Sequence, residues 1–234
     1  MTTQVTTLTI GNANFSKQFQ NAAATDGQWT GNTLTDTIAG QQLGILVPGA
    51  PLAWGQLEYE AGACAYRIQD AQSLNVSAVG FGSKVGDAAF QPTLLERPIQ
   101  VRPNDIVSVY PIPASGAGTS GVLAWVYTTK GRELFVAQGI PNATATEIKS
   151  AVNTQSLGDM FFGSVLNGLC VQVEDSHKLT NAQIVDEMGG VVMTLMGSQR
   201  SQHAGNSNLF NLEVQGLAVP IGKGWKLNFT TTDA

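Results

Sequence analysis

Short runs of apolar and β-branched residues, each closed by Gly, Pro, Asn or Asp, recur along the chain. The clearest lie between Pro98 and Ala137. Ile99 and Val101 precede a Pro103-Asn104-Asp105 turn, and Ile106-Val107-Ser108-Val109-Tyr110 follows it. A loop of small residues, Ala114 to Gly121, leads to Val122-Leu123-Ala124-Trp125-Val126-Tyr127. A turn at Lys130-Gly131 then returns the chain through Glu133-Leu134-Phe135-Val136. Such runs, rich in β-branched and aromatic residues and separated by turn formers, predict strands. Consecutive strands with short connections usually pair, so this stretch is expected to form an antiparallel meander at the centre of the fold.

The same pattern extends in both directions. Thr2–Ile10 predicts an extended arm or edge strand. Ile45–Val47, Leu52–Tyr59, Ala63–Ile68 and Leu74–Phe81 predict four further strands, with a loop over residues 82–97. Phe210, Leu212 and Val214 alternate with polar residues, and Trp225–Thr230 closes the chain as another strand. Helical spacing is confined to short pieces. Phe15 and Phe19 stand one turn apart, predicting either a helix over Ser16–Ala24 or a long excursion wrapping a neighbour. Ile148 and Val152 predict a helix over Thr146–Val152. Residues 157–173 read as a turn of helix followed by a strand, the alternative being one continuous buried strand. Thr180-Asn181-Ala182-Gln183 has the form of a capping box before Ile184, Val185 and Met188, with Gly189-Gly190 interrupting. Val191–Met196 reads as a strand and Gly197–Asn208 as a polar mobile loop. The expected fold is mainly β: an antiparallel β-sandwich, jelly-roll-like, with short helices in connections and extended terminal arms. Residues 1–44 are expected as an arm or long connection, and residues 45–234 as a single sandwich domain.

Composition sharpens this picture. The hydrophobic fraction of 43% excludes global disorder, while the charged fraction of 12% is about half the ~25% of ordinary soluble domains. Solubility therefore rests on Thr, Ser, Asn, Gln and Gly, as suits a subunit that covers much of its surface with copies of itself. The net charge of −5 and the scattered basic residues give a nucleic-acid partner little attraction. The N-terminus has neither the basic nor the apolar region of a secretory signal, and no apolar run reaches membrane-spanning length. Cys64 and Cys170 are expected as thiols, the alternative being a disulfide between them.

Candidate chemistry is thin. Asp175-Ser176-His177 has the residue types of a hydrolase triad, but such triads are assembled from separate segments, and a polar turn is the expectation. Cys64, Cys170, His177 and His203 lack the paired spacing of a zinc site. The glycines of 116–121 lack the lysine and helix of a phosphate loop. No catalytic residue, metal site or cofactor is expected. Trp125, amid apolar neighbours, is expected in the core. Trp29, in a polar segment, is the expected anchor onto a partner, with Phe15, Phe19 and Trp54 as further interface candidates.

In this combination the chain resembles bacteriophage virion proteins of the jelly-roll or sandwich type, such as capsid, cement or decoration subunits. The resemblance is carried by Thr2–Ile10, the Asn/Ala/Thr/Gly segment 11–44, the strands of 98–137 and the closing Pro220–Thr230 segment. It implies a structural virion protein made in the host cytoplasm, a homo-oligomer (trimer favoured) that also meets other virion proteins. The alternative is a glycan- or cell-surface-binding sandwich of tail-fibre or adhesin type. An enzyme is the third expectation.

Overall fold

The computed structural model describes residues 6–11, 16–21, 29, 35–36, 51–59, 64–70, 72–73, 75–84, 93–102, 105–112, 118–174, 177–195 and 212–233; residues 6–8, 16–21, 35–36, 52–59, 83–84, 93–98 and 212–215 are described by backbone alone. Among the described residues the fold is mainly β, with sixteen strands and one short helix. The chain divides into two compact units, Met1–Pro111 and Ile112–Ala234. That division falls inside the stretch expected to form one sandwich from residue 45 onward. The strands expected at Ile45–Val47 and the loop expected at Gly197–Asn208 lie outside the described residues.

The first unit holds β1 (Thr6–Gly11), β2 (Ser16–Asn21), β3 (Thr35–Asp36), β4 (Leu52–Tyr59), β5 (Cys64–Asp70), β6 (Val76–Lys84), β7 (Thr93–Ile99) and β8 (Asp105–Pro111). They form one sheet in the order β3-β2-β1-β4-β6-β5-β8, with β7 also paired to β4. The β4–β6 pair is parallel and the other pairs are antiparallel. Three expectations are corrected here. β1 is no edge, because Leu8 stands opposite Phe19 of β2 and Leu57 of β4. Residues 16–21 are a strand, not a helix: one apolar pair at helical spacing is weak against a ladder available on both sides. The loop expected over residues 82–97 is entered by β6 at one end and β7 at the other.

The β5–β6 connection shows how the sequence sets a turn. The Asp70 carboxylate accepts the backbone N–H groups of Gln72 (2.9 Å) and Ser73 (2.7 Å) and the Ser73 hydroxyl (3.0 Å). These bonds, the Ser73 amide first, hold the Asp70 carboxyl below the usual carboxylate range. A depressed folded pKa contributes stability that is present above the ordinary carboxylate pKa and is lost as pH falls through the lowered one. Asp70→Asn is therefore expected to flatten the acid limb of the first unit's stability curve. Acid denaturation followed by tyrosine fluorescence checks this, and an unchanged limb would contradict it.

The second unit holds β9 (Thr119–Thr128), β10 (Gly131–Pro141), β11 (Thr146–Ser150), α1 (Leu157–Phe161), β12 (Val165–Val173), β13 (His177–Val185), β14 (Val191–Thr194), β15 (Leu212–Pro220) and β16 (Lys226–Asp233). Their order is β14-β13-β16-β11-β10-β9-β12-β15. The β9–β10 hairpin turns at Lys130-Gly131 as expected, with Gly131 at φ 134°. The expected meander is broken before it, since β8 pairs with β5 whereas β9 lies between β10 and β12. A connecting loop of small side chains imposes no hairpin register, so the next strand was free to join another sheet. Within the order, β12-β9-β10-β11 is a Greek key, the commonest motif of β-sandwiches.

β11 is the corner of this sandwich. Its last two residues pair with β10, at Phe135↔Ser150 and Val136↔Lys149, and its first three pair with β16. The sheet thus folds over on itself and encloses one core. Val122, Ala124, Val126, Phe135 and Val171 meet Leu179, Ala182, Ile184, Leu227 and Phe229 in it, with α1 contributing Leu157 and Phe161. The Phe135 and Phe161 rings lie 6.3 Å apart. Trp125 is buried, as expected. Two expected helices are strands. In β11, Ile148 and Ser150 are buried while Lys149 is exposed, which is a period of two. In β13, Leu179, Ala182 and Ile184 point inward past a bulge, so the polar residues read as a capping box are its outer face. The turn of helix and following strand expected over residues 157–173 are α1 and β12.

Candidate functional site

The turns of the second unit gather at its two ends, where sandwiches carry their binding residues. One end is built from the β9–β10 turn, the 151–156 turn with α1, the β13–β14 turn and the β15–β16 turn. Backbone bonds brace α1 and the residues after it against the β15–β16 turn. Gly158 N–H donates to Trp225 C=O (2.7 Å), Gly163 N–H to Ile221 C=O (3.2 Å) and Ile221 N–H to Ser164 C=O (2.9 Å). The Lys130 ammonium donates to Phe162 C=O at 2.6 Å.

The β13–β14 tip is fixed from within. Asp186 Oδ1 accepts the N–H groups of Met188 (2.9 Å) and Gly190 (2.7 Å), while Gly189 takes φ 87°, a conformation open to a residue without Cβ. Met188 is thereby held in solvent at 93% exposure. In β14 the register passes from Ile184↔Met193 to Val185↔Val191, so Val192 is an extra residue. The bulge turns Val191 and Val192 outward together, while Met193 and Leu195 pack on the core. With Val152 and Phe162, five large apolar side chains stand exposed at this end.

The opposite end carries a buried polar cluster. Ser120 and Thr231 share a hydroxyl–hydroxyl bond of 2.6 Å, and the Glu174 carboxylate accepts the Gly121 N–H at 2.8 Å. His177 Nε2 lies 3.2 Å from Asp233 Oδ1, and the His177 backbone N–H donates to Glu174 C=O at 3.2 Å. The Ser120–Thr231 and Glu174–Gly121 bonds tie the start of β9 to the ends of β12 and β16 and satisfy groups that burial would otherwise leave unpaired. The acid found beside His177 is thus Asp233, from another strand; Asp175 and Ser176 lie outside the described residues. Among the described residues, no three metal-ligating side chains cluster.

The interface candidates read from sequence are placed as follows. Phe15 lies outside the described residues. Phe19 stands in β2 opposite Leu8 and Asp36, and Trp54 in β4 opposite Gly11 and Leu94. Trp29 is half-buried on its own chain, edge-on to Tyr110 at 5.5 Å between centroids and with the Arg67 guanidinium 4.1 Å from its ring centre. That cation–π contact engages the ring within the first unit. The residues that sequence reasoning missed are Met188, Val191, Val192, Phe162 and Val152. The apolar pattern placed them in predicted helices and strands without telling their exposed positions from buried ones, and Gly189-Gly190 was the signal of a break beside Met188.

Both cysteines are thiols. Burial pushes the Cys64 thiol far up from its ordinary range, whereas Cys170 is half-buried on β12. A thiol reagent at neutral pH is expected to label Cys170 well before Cys64, as peptide mapping would read; equal rates would contradict the burial of Cys64.

No protein-family profile, curated protein or solved structure matches the chain. Among the described residues, no helix is long and apolar enough to cross a membrane.

Proposed function

We propose that the chain is a structural virion protein, a capsid, cement or decoration subunit of a bacteriophage particle, that works by binding copies of itself and neighbouring shell proteins. The observation that carries this reading is the set of five apolar side chains held in solvent on braced turns at one end of the second unit. Apolar side chains held in solvent on hydrogen-bonded turns are what a protein interface is built from, because little backbone ordering entropy remains to be lost on docking. The low charge of 12% supports the same reading, since charged residues are depleted at the centres of interfaces. The resemblance of the sequence's texture to phage sandwich proteins is what suggests the particle, and a homotrimer is the assembly it favours.

The glycan-binding reading is weaker. It needs an exposed aromatic platform, yet among the described tryptophans Trp125 is buried while Trp29 and Trp225 are half-buried against their own units, and the exposed Phe162 stands among aliphatic side chains rather than other aromatic rings. Light scattering on the purified chain tests the proposal. The expected result is a mass several times the 24.6 kDa of one chain, rising with concentration. A mass of one chain at every concentration, alone and with shell proteins added, would overturn it.

A further inference from the structure

We infer that Asn167 is a site of spontaneous covalent modification, in which its side-chain amide is lost to the backbone nitrogen of Gly168. Asn167 lies in β12, a strand flanked on both sides, yet it is missing from both ladders. Against β9 the register passes from Leu166↔Thr128 to Gly168↔Tyr127, and against β15 from Leu166↔Val219 to Gly168↔Gln215. Asn167 is therefore the extra residue of a bulge against β9, while against β15 it faces the longer excursion of residues 216–218, and it is exposed.

The chemistry needs an accessible side-chain carbonyl carbon and a following residue without Cβ, and position 167–168 supplies both. Asparagine is already among the chemically labile residues. The Gly168 amide loses its proton to hydroxide, and its nitrogen attacks Cγ of Asn167. A C–N bond forms, the Cγ–Nδ2 bond breaks, and ammonia leaves with a proton from water. The resulting five-membered imide is opened by water at either carbonyl, giving an aspartyl or isoaspartyl residue at position 167. No oxidant, metal or second protein is required.

Two other exposed asparagines serve as references in the same molecule. Asn75 precedes the β-branched Val76, and Asn153 precedes the β-branched Thr154, whose Cβ substituents crowd the attacking nitrogen. Asn153 is held further by its side-chain bonds to Gln155, at 2.8 and 3.2 Å. The modification adds one negative charge to a chain whose net charge is −5.

The test is to hold the purified full chain at mildly alkaline pH and physiological temperature, follow acidic forms by ion exchange, and map them by peptide mass spectrometry with electron-transfer fragmentation. The expected result is one growing acidic form, its mass gain of NH2 replaced by OH placed at Asn167, ahead of Asn75 and Asn153 several-fold. Asn167→Ser should abolish that form while leaving the circular dichroism unchanged. An unmodified Asn167, whether no acidic form grows or whether Asn75 or Asn153 converts first, would overturn the inference.

Discussion

Gly158→Ala is expected to destabilise the second unit by about 3 kcal/mol or more, although alanine is the better helix former. Propensity alone would gain about 1 kcal/mol inside a helix. The local geometry reverses the sign. A Cβ on Gly158 would lie 2.3 Å from the Trp225 nitrogen, 2.5 Å from the Gly222 oxygen and 2.7 Å from the Gly224 nitrogen. All three are backbone atoms of the β15–β16 turn, so no side chain can rotate away. The Gly158 N–H bond to Trp225 C=O, at 2.7 Å, would have to lengthen as the helix lifts off. Calorimetry on the full chain should show the second unit's transition lowered by roughly 10 °C. A variant as stable as the parent would mean that α1 does not sit on this turn.

The neighbouring phenylalanines give the second large effect. Phe161→Ala is expected to cost about 3–5 kcal/mol, while Phe162→Ala should change stability by no more than about 0.5 kcal/mol. Phe161 is buried against Phe135 in the core, whereas Phe162 is 57% exposed beside it. Chemical denaturation of the two variants reads the difference directly. Equal losses would place both rings in the interior.

Much of the fold was legible where strands alternate without competition. In β16, Leu227, Phe229 and Thr231 point inward as the period of two requires, and Lys130-Gly131 announced its hairpin. The failures are of two kinds. Ile148 and Val152 are four apart, and so are Phe15 and Phe19, but neither spacing carries information about a ladder supplied by residues far along the chain. Likewise nothing in Ala114–Gly121 reveals that β8 and β9 enter different sheets, because that choice is made by β5 and β12.

The candidate site was the least legible part. Phe161 and Phe162 are identical side chains in adjacent positions, and their opposite environments follow from where α1 stops and Gly163 turns at φ 72°. Val191 and Val192 read as part of a strand, and their shared outward direction follows only once the bulge against β13 is known. Trp29, read from sequence as an anchor for a partner, has neighbours in its own unit that no local pattern announced: Arg67 and Tyr110 lie against its ring. Exposure is a property of tertiary packing, and a large apolar residue has the same letter on either side of a surface.

If the braced apolar end is where neighbours meet, charging it must dissolve the assembly without harming the subunit. Met188 and Val192 are the positions to charge, since both project into solvent and neither supports the core. The decisive measurement is the concentration-dependent light-scattering mass of Met188→Lys combined with Val192→Lys, set beside the parent chain with circular dichroism as the fold control. A multimeric parent and a folded, single-chain variant are the predicted result; a variant that keeps the parent's multimeric mass would contradict the assignment.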